Sequence, residues 1–156
     1  ATPTAGATVL DLFVVRPAAG AEAAWGGFAR DLEEALTRRV PVEDLVARLT
    51  RPSGLPPRVV PRVEILVTID NVSSSRQTVI EVQAPDRLGV LYAITRTLNE
   101  QELSIHLSKV NTEVGHVLDV FYVTEAATGG KVPEVRVAPL RQAIVAALAP
   151  PPPVRS

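Results

Sequence analysis

The chain has no cysteine and no methionine, and its aromatic residues amount to one tryptophan, two tyrosines and three phenylalanines. Without cysteine there is no disulfide framework, no zinc finger and no thiol nucleophile. No apolar run is long enough to span a bilayer, and Ala1 to Leu10 lack the basic region and apolar stretch of a signal peptide. Neither sign of charge is in excess: 16 Lys and Arg stand against 17 Asp and Glu, which argues against a basic nucleic-acid surface. These absences predict a cytoplasmic protein with neither nucleic acid nor membrane as partner. What is present, 46% hydrophobic and 21% charged residues over 156 positions, suits a globular chain of one ordinary domain, or one small domain with a fragment of another. Its Ala start and lack of methionine predict a piece of something longer.

An internal repeat organises the chain. Val9-Leu10-Asp11-Leu12-Phe13-Val14-Val15 matches Val117-Leu118-Asp119-Val120-Phe121-Tyr122-Val123 at five of seven positions, at an offset of 108. The offset persists without a gap: Leu32 meets Leu140, Ala35 meets Ala143, Leu36 meets Ile144 and Val40 meets Leu148. Each copy reads as strand, glycine-bearing loop and helix, the loops marked by Gly20 with Gly26-Gly27 and by Gly129-Gly130. Trp25 is expected to anchor the first loop.

The second copy has further elements ahead of it. Thr78 to Ala84 alternates, with Ile80, Val82 and Ala84 on one face, which is the period of a strand. Pro85-Asp86 breaks it, and Asp86 is expected to cap the next helix. Leu88, Leu91, Ile94 and Leu98 recur at helical spacing to about Gln101. Ser104 to Thr112 reads as a strand, turned at Glu113-Val114-Gly115 into another that ends near Thr124. A helix from about Arg136 to Ala149 stops at Pro150 to Pro153. The first copy lacks such preceding elements, so the chain is expected to start inside a domain.

Between the copies, Pro41 to Leu49 carries Val42, Leu45, Val46 and Leu49 on one helical stripe, and the proline-rich stretch from Arg51 to Pro61 suits a linker. Arg62 to Asp70 is a further strand that Asn71 to Ser75 can turn back onto Thr78 to Ala84. The domains so predicted are 1–40, a strand-helix half; 41–61, a linker with a short helix; 62–149, a complete unit; and 150–156, a Pro-rich tail. The complete unit is ββαββα. Its fold class is α+β and ferredoxin-like, a four-stranded antiparallel sheet with two helices on one face, its usual last strand moved to the front.

Asp86-Arg87-Leu88-Gly89 lies where strand hands over to helix. A helix N-terminus offers unpaired N–H groups and partial positive charge, which suit a carboxylate or phosphate. Gly89, read in the first helical turn, costs about 1 kcal/mol relative to alanine. Either a ligand must approach there, or the glycine merely lets the helix pack on the sheet.

The stretch TVIEVQAPDRLGVLYAITRTLNEQELSIHLSKVNTEVGHVLDVFYVTE resembles the ACT domain, whose hallmark is a strand, an Asp-Arg-x-Gly loop, a helix and a hairpin. With Arg62-Val63-Glu64-Ile65, Asp70-Asn71 and Asp119 to Val123, nearly the whole chain resembles the tandem ACT region that ends bifunctional uridylyltransferase/uridylyl-removing enzymes of nitrogen control. The resemblance implies a regulatory part, not itself an enzyme and without cofactor or metal. It implies glutamine as effector, bound by Asp86, Arg87, Leu88, Gly89, Val90 and Leu91. The partners implied are the nucleotidyltransferase and hydrolase domains of a parent enzyme. The first-copy strand, Ala7 to Arg16, lacks intramolecular partners and is an apolar edge, so a homo-oligomer through ACT sheets is expected as well. Two departures stand out: the first domain's equivalent loop is missing, and Leu66-Val67-Thr68-Ile69 lengthens the strand after Arg62. A freestanding amino-acid-binding protein and a dimerisation module that binds nothing remain open.

The remaining residues carry less. His106 is expected near Tyr122 and His116 near Thr112, roughly 15 Å apart at about 3.4 Å per residue, too far to share a metal. Ser73-Ser74-Ser75 lies in a turn without the setting of a nucleophile. Arg38, Arg39, Arg48, Arg51, Arg58 and Arg62 make the connector basic, as a solvated linker or a contact with another domain.

Overall fold

Alternation and helical spacing become two separate units in the computed structural model, Ala1–Arg51 and Pro52–Ser156. The structure describes residues 25–37, 40–49, 63–113 and 115–149. The predicted strand Ala7 to Arg16, Gly20, the Pro-rich linker and the proline tail lie outside them.

The first unit contributes α1 (Trp25–Leu36) and α2 (Val42–Leu49). In α1 the stripe of Trp25, Phe28, Leu32 and Leu36 is exposed. Gly26 and Gly27 fall inside this helix, not in a loop, and Trp25 is its first residue, 60% exposed and no anchor. Glycine is tolerated so near a helix end, where several N–H groups lack intrahelical partners anyway. In α2, Glu43 and Asp44 occupy the first turn, the favourable end of the helix dipole for negative charge.

The second unit has the predicted ββαββα order: β1 (Leu66–Asp70), β2 (Thr78–Pro85), α3 (Val90–Glu100), β3 (Leu103–Glu113), β4 (His116–Glu125) and α4 (Glu134–Leu148). The sheet order is β1-β2-β4-β3, and every neighbouring pair is antiparallel. β1 pairs with β2 from Leu66 opposite Gln83 to Asp70 opposite Val79, so the front strand takes its predicted place in the sheet but is shorter than expected: it begins at Leu66, and residues 63–65 ahead of it are not strand. The inward residues of the central pair, Ile80, Val82 and Ala84 with Val117, Phe121 and Val123, meet Val90, Ile94 and Leu98 of α3 and Leu140, Ile144 and Leu148 of α4 in one core.

Polar groups fasten one end of this core. Thr78, fully buried, donates its hydroxyl to Asn71 Oδ1 at 2.6 Å and accepts the Val132 N–H at 2.9 Å. Asn71 Nδ2 donates back to the Val132 carbonyl at 3.0 Å, and Lys131 Nζ to the Asn71 carbonyl at 2.7 Å. The β1–β2 turn is thereby tied to the entrance of α4. Ser74 Oγ accepts the Gln77 N–H at 3.2 Å, so this serine serves the turn. Arg136 joins three elements, bonding Glu125 Oε1 at 2.6 Å and the Gln101 carbonyl at 2.7 Å.

Three local readings change. Asp86 does not cap α3: the helix starts at Val90, and Gly89 is its N-cap, with φ 85° and no side-chain cap. Asp86 instead gives its N–H to the Gly115 carbonyl at 3.1 Å, held in the strand-to-turn exit. Leu88 leaves the helical stripe because it sits in that turn, 59% exposed. The β3–β4 register slips at a bulge between Ile105 and Leu107. Leu107, not His106, therefore faces Tyr122, and His106 Nε2 lies 2.8 Å from Thr124 Oγ1. His116 pairs with Glu113, one position beyond its expected partner. Among the described residues no cluster could hold a metal ion.

Candidate functional site

Gly89 decides the shape of the site. A backbone at φ 85° lies in the left-handed region, which carries a steric penalty for any residue with a Cβ. Its freedom lets β2 leave the sheet through Asp86 and Arg87 and turn sharply into α3. The Val90 N–H bonds the Arg87 carbonyl at 3.3 Å, and the first α-helical bond runs from the Ala93 N–H to the Gly89 carbonyl at 2.9 Å. With no side chain capping it, the start of α3 turns N–H groups and the positive end of its dipole outward.

That start borders a cavity of about 410 Å³. Its wall is the unbroken run from Asp86 to Tyr92; Val110 and Thr112 of β3 and Val117 and Asp119 of β4 complete it. All six loop and helix residues singled out from the sequence are thus brought together, but in different capacities. Val90 is 3% exposed and also belongs to the core. Leu88 is an exposed apolar rim. The Arg87 guanidinium donates from Nη2 to the Leu148 carbonyl at 2.8 Å, capping the last turn of α4 and fixing the loop against it.

Asp119 was not among those six. Its side chain is 1% exposed on the inward face of β4, opposite Val82 on one side and Val110 on the other. Neither carboxylate oxygen makes a hydrogen bond among the described residues. Burial pushes this carboxyl above its ordinary value of 3.8, and the pull of the Asn111 backbone N–H offsets that only in part. The sequence did hold a signal. In Val117, Asp119, Phe121, Val123, one charge interrupts an otherwise apolar inward row.

The family model for the ACR9-like, ACT-like domain matches residues 66–147. Among curated proteins, the bifunctional uridylyltransferase/uridylyl-removing enzyme of Azospirillum brasilense is 35% identical over 91% of the chain and 16% of its own length. That of Rhodospirillum rubrum is 32% identical over 89% of the chain and 15% of its own length, and that of Bradyrhizobium diazoefficiens 39% over 60% and 10%. The chain therefore spans about a sixth of the length of the first two of these relatives. No solved structure matches it.

Proposed function

Because the chain belongs to the ACT-like domain family, we propose that it is a regulatory, non-catalytic amino-acid-binding module of a uridylyltransferase/uridylyl-removing enzyme. The proposed effector is glutamine, received in the cavity beside the Asp86 to Leu91 stretch, with nitrogen control as the setting. The observation that carries the reading is the uncapped N-terminus of α3 opening on a cavity of about 410 Å³, a volume suited to a small molecule. The names of the relatives support the choice of parent enzyme. Their catalytic parts would be the partners whose activity binding adjusts. Among the described residues no helix is long and apolar enough to cross a membrane, in keeping with a cytoplasmic setting.

Calorimetric titration of the full chain with glutamine, and with asparagine and glutamate as competitors, tests this. Saturable heat from glutamine that exceeds the competitors is the expected result. Saturable heat from another amino acid alone would replace the effector and keep the module. No heat from any amino acid would sink the sensing role.

A second reading has its own observation. β3 is an eleven-residue edge strand with Ile105, Leu107 and Val110 exposed, a surface able to pair with another strand. A homo-oligomer formed through this edge is compatible with ligand binding. Sedimentation of the full chain with and without Leu107→Lys tests it: a dimer dispersed by the substitution supports the edge as the contact, and a monomer in both cases removes it.

A further inference from the structure

Asp119 is the single buried ionised-type side chain among the described residues, and it borders the same cavity as the start of α3. Its strand neighbours Val117 and Phe121 and its cross-strand neighbours Val82 and Val110 are all apolar. The one basic side chain along the cavity wall, Arg87, is engaged by the Leu148 carbonyl. A carboxylate whose oxygens close no hydrogen bond and meet no counter-ion, with only the partial pull of the Asn111 N–H to offset burial, is expensive to bury. A ligand that brings its own cation removes the penalty.

We propose that Asp119 is the cation-recognising group of the cavity, so that the ligand is a zwitterion: its carboxylate faces the N-terminus of α3 and its ammonium is held at Asp119. This rests on the reading of the cavity as an amino-acid site and adds what that reading leaves open, the means of selecting an amino acid over other carboxylic acids. The N-terminus of a helix accepts any small anion. An ammonium adds charge and three N–H donors toward two oxygens that have no partner of their own. Acids lacking the amine leave Asp119 buried and unpaired, so they are rejected by an unmet polar group and not by size.

The experiment uses the full chain, glutamine, its analogue without the amine (4-carbamoylbutanoic acid), and its analogue without the carboxylate (4-aminobutanamide). Glutamine is expected to bind about 10- to 100-fold more tightly than the amine-free acid, the range of one charge-assisted interaction. In Asp119→Asn that preference collapses toward unity. Preserved discrimination in Asp119→Asn, with glutamine still bound, overturns the assignment and leaves the amino-acid reading standing. Absence of binding by every amine-bearing acid to the unmodified chain overturns both. Should Asp119→Asn fail to fold, carbon NMR of the Asp119 carboxyl in the unmodified chain serves instead. Saturating glutamine is expected to keep it ionised at pH values where the free protein holds it protonated. An unchanged titration would refute the contact.

Discussion

Two buried polar residues of the same sheet face, Thr78 near one end of the β2–β4 pair and Asp119 toward the other, are equally hidden and oppositely provided for. Thr78 sits in a closed ring with Asn71 and Val132, each hydrogen-bonding group answered by another. Asp119 has apolar neighbours and two unanswered oxygens. A satisfied buried group holds a fold together, because loosening it strands its partners. An unsatisfied one weakens the free protein and is resolved only by something from outside. Equal burial thus separates an architectural end of the domain from a receptive end.

The largest effect is expected at the satisfied end. Thr78→Val keeps the shape but leaves Asn71 Oδ1 and the Val132 N–H without their buried partner, a loss of about 2–4 kcal/mol. Urea unfolding followed by circular dichroism measures it; a loss below about 1 kcal/mol would mean the ring is dispensable and the contrast misdrawn. Next comes the hinge of the receptive end. Gly89→Ala forces a Cβ into the left-handed region and should lose about 1–2 kcal/mol, with weaker ligand binding because the loop is displaced. Urea unfolding and calorimetry with glutamine check the two losses together, and a variant as stable as the parent would show that the left-handed turn is not required.

At Asp119 the sign reverses. The folded protein holds the Asp119 proton more tightly than the unfolded chain does, so stability falls as pH rises from about 3.8 through the raised value and is flat above it. Asp119→Asn should therefore stabilise the ligand-free protein by about 1 kcal/mol at neutral pH, with the gain vanishing below pH 3.8. Melting temperatures of both proteins across pH decide it; a variant less stable at pH 7 would show that the carboxylate has a partner after all. The smallest effect is at Arg96, whose pair with Glu100 is about half exposed on both sides. Arg96→Ala should leave the urea midpoint unchanged within error, and a measurable loss would show that the α3 surface matters more than its exposure implies.

Much of this fold was legible because its signals are local. Ile80, Val82 and Ala84 announce one face of β2 by alternation alone, and Ile94 with Leu98 announces the buried side of α3. The pairing of β1 with β2 followed from a short polar turn between two strand patterns. What escaped depends on a few backbone angles or on distant partners. Nothing in Asp86-Arg87-Leu88-Gly89 says that the helix waits until Val90; one positive φ at Gly89 moves its start and removes Leu88 from the stripe. The destination of Arg87, the Leu148 carbonyl 61 positions away, is invisible to any window of sequence. The bulge that displaces His106 from its expected pairing is likewise a property of two strands, not one. Asp119 differs from these: its inward position was readable by alternation, and its isolation was not.

The strand order β1-β2-β4-β3 also sets an order in time. The hairpins β1–β2 and β3–β4 close across short turns, whereas β2 must meet β4 across the whole of α3 and β3. Loop closure makes such distant pairings slow, so the central seam of the sheet is the expected late event. The cavity straddles that seam, with Gly89 following β2 and Asp119 borne on β4. A molecule bound there grips both halves at once and recognises only the joined state. Occupancy should therefore act as a latch, slowing escape from the native state while leaving the rate of arrival almost untouched.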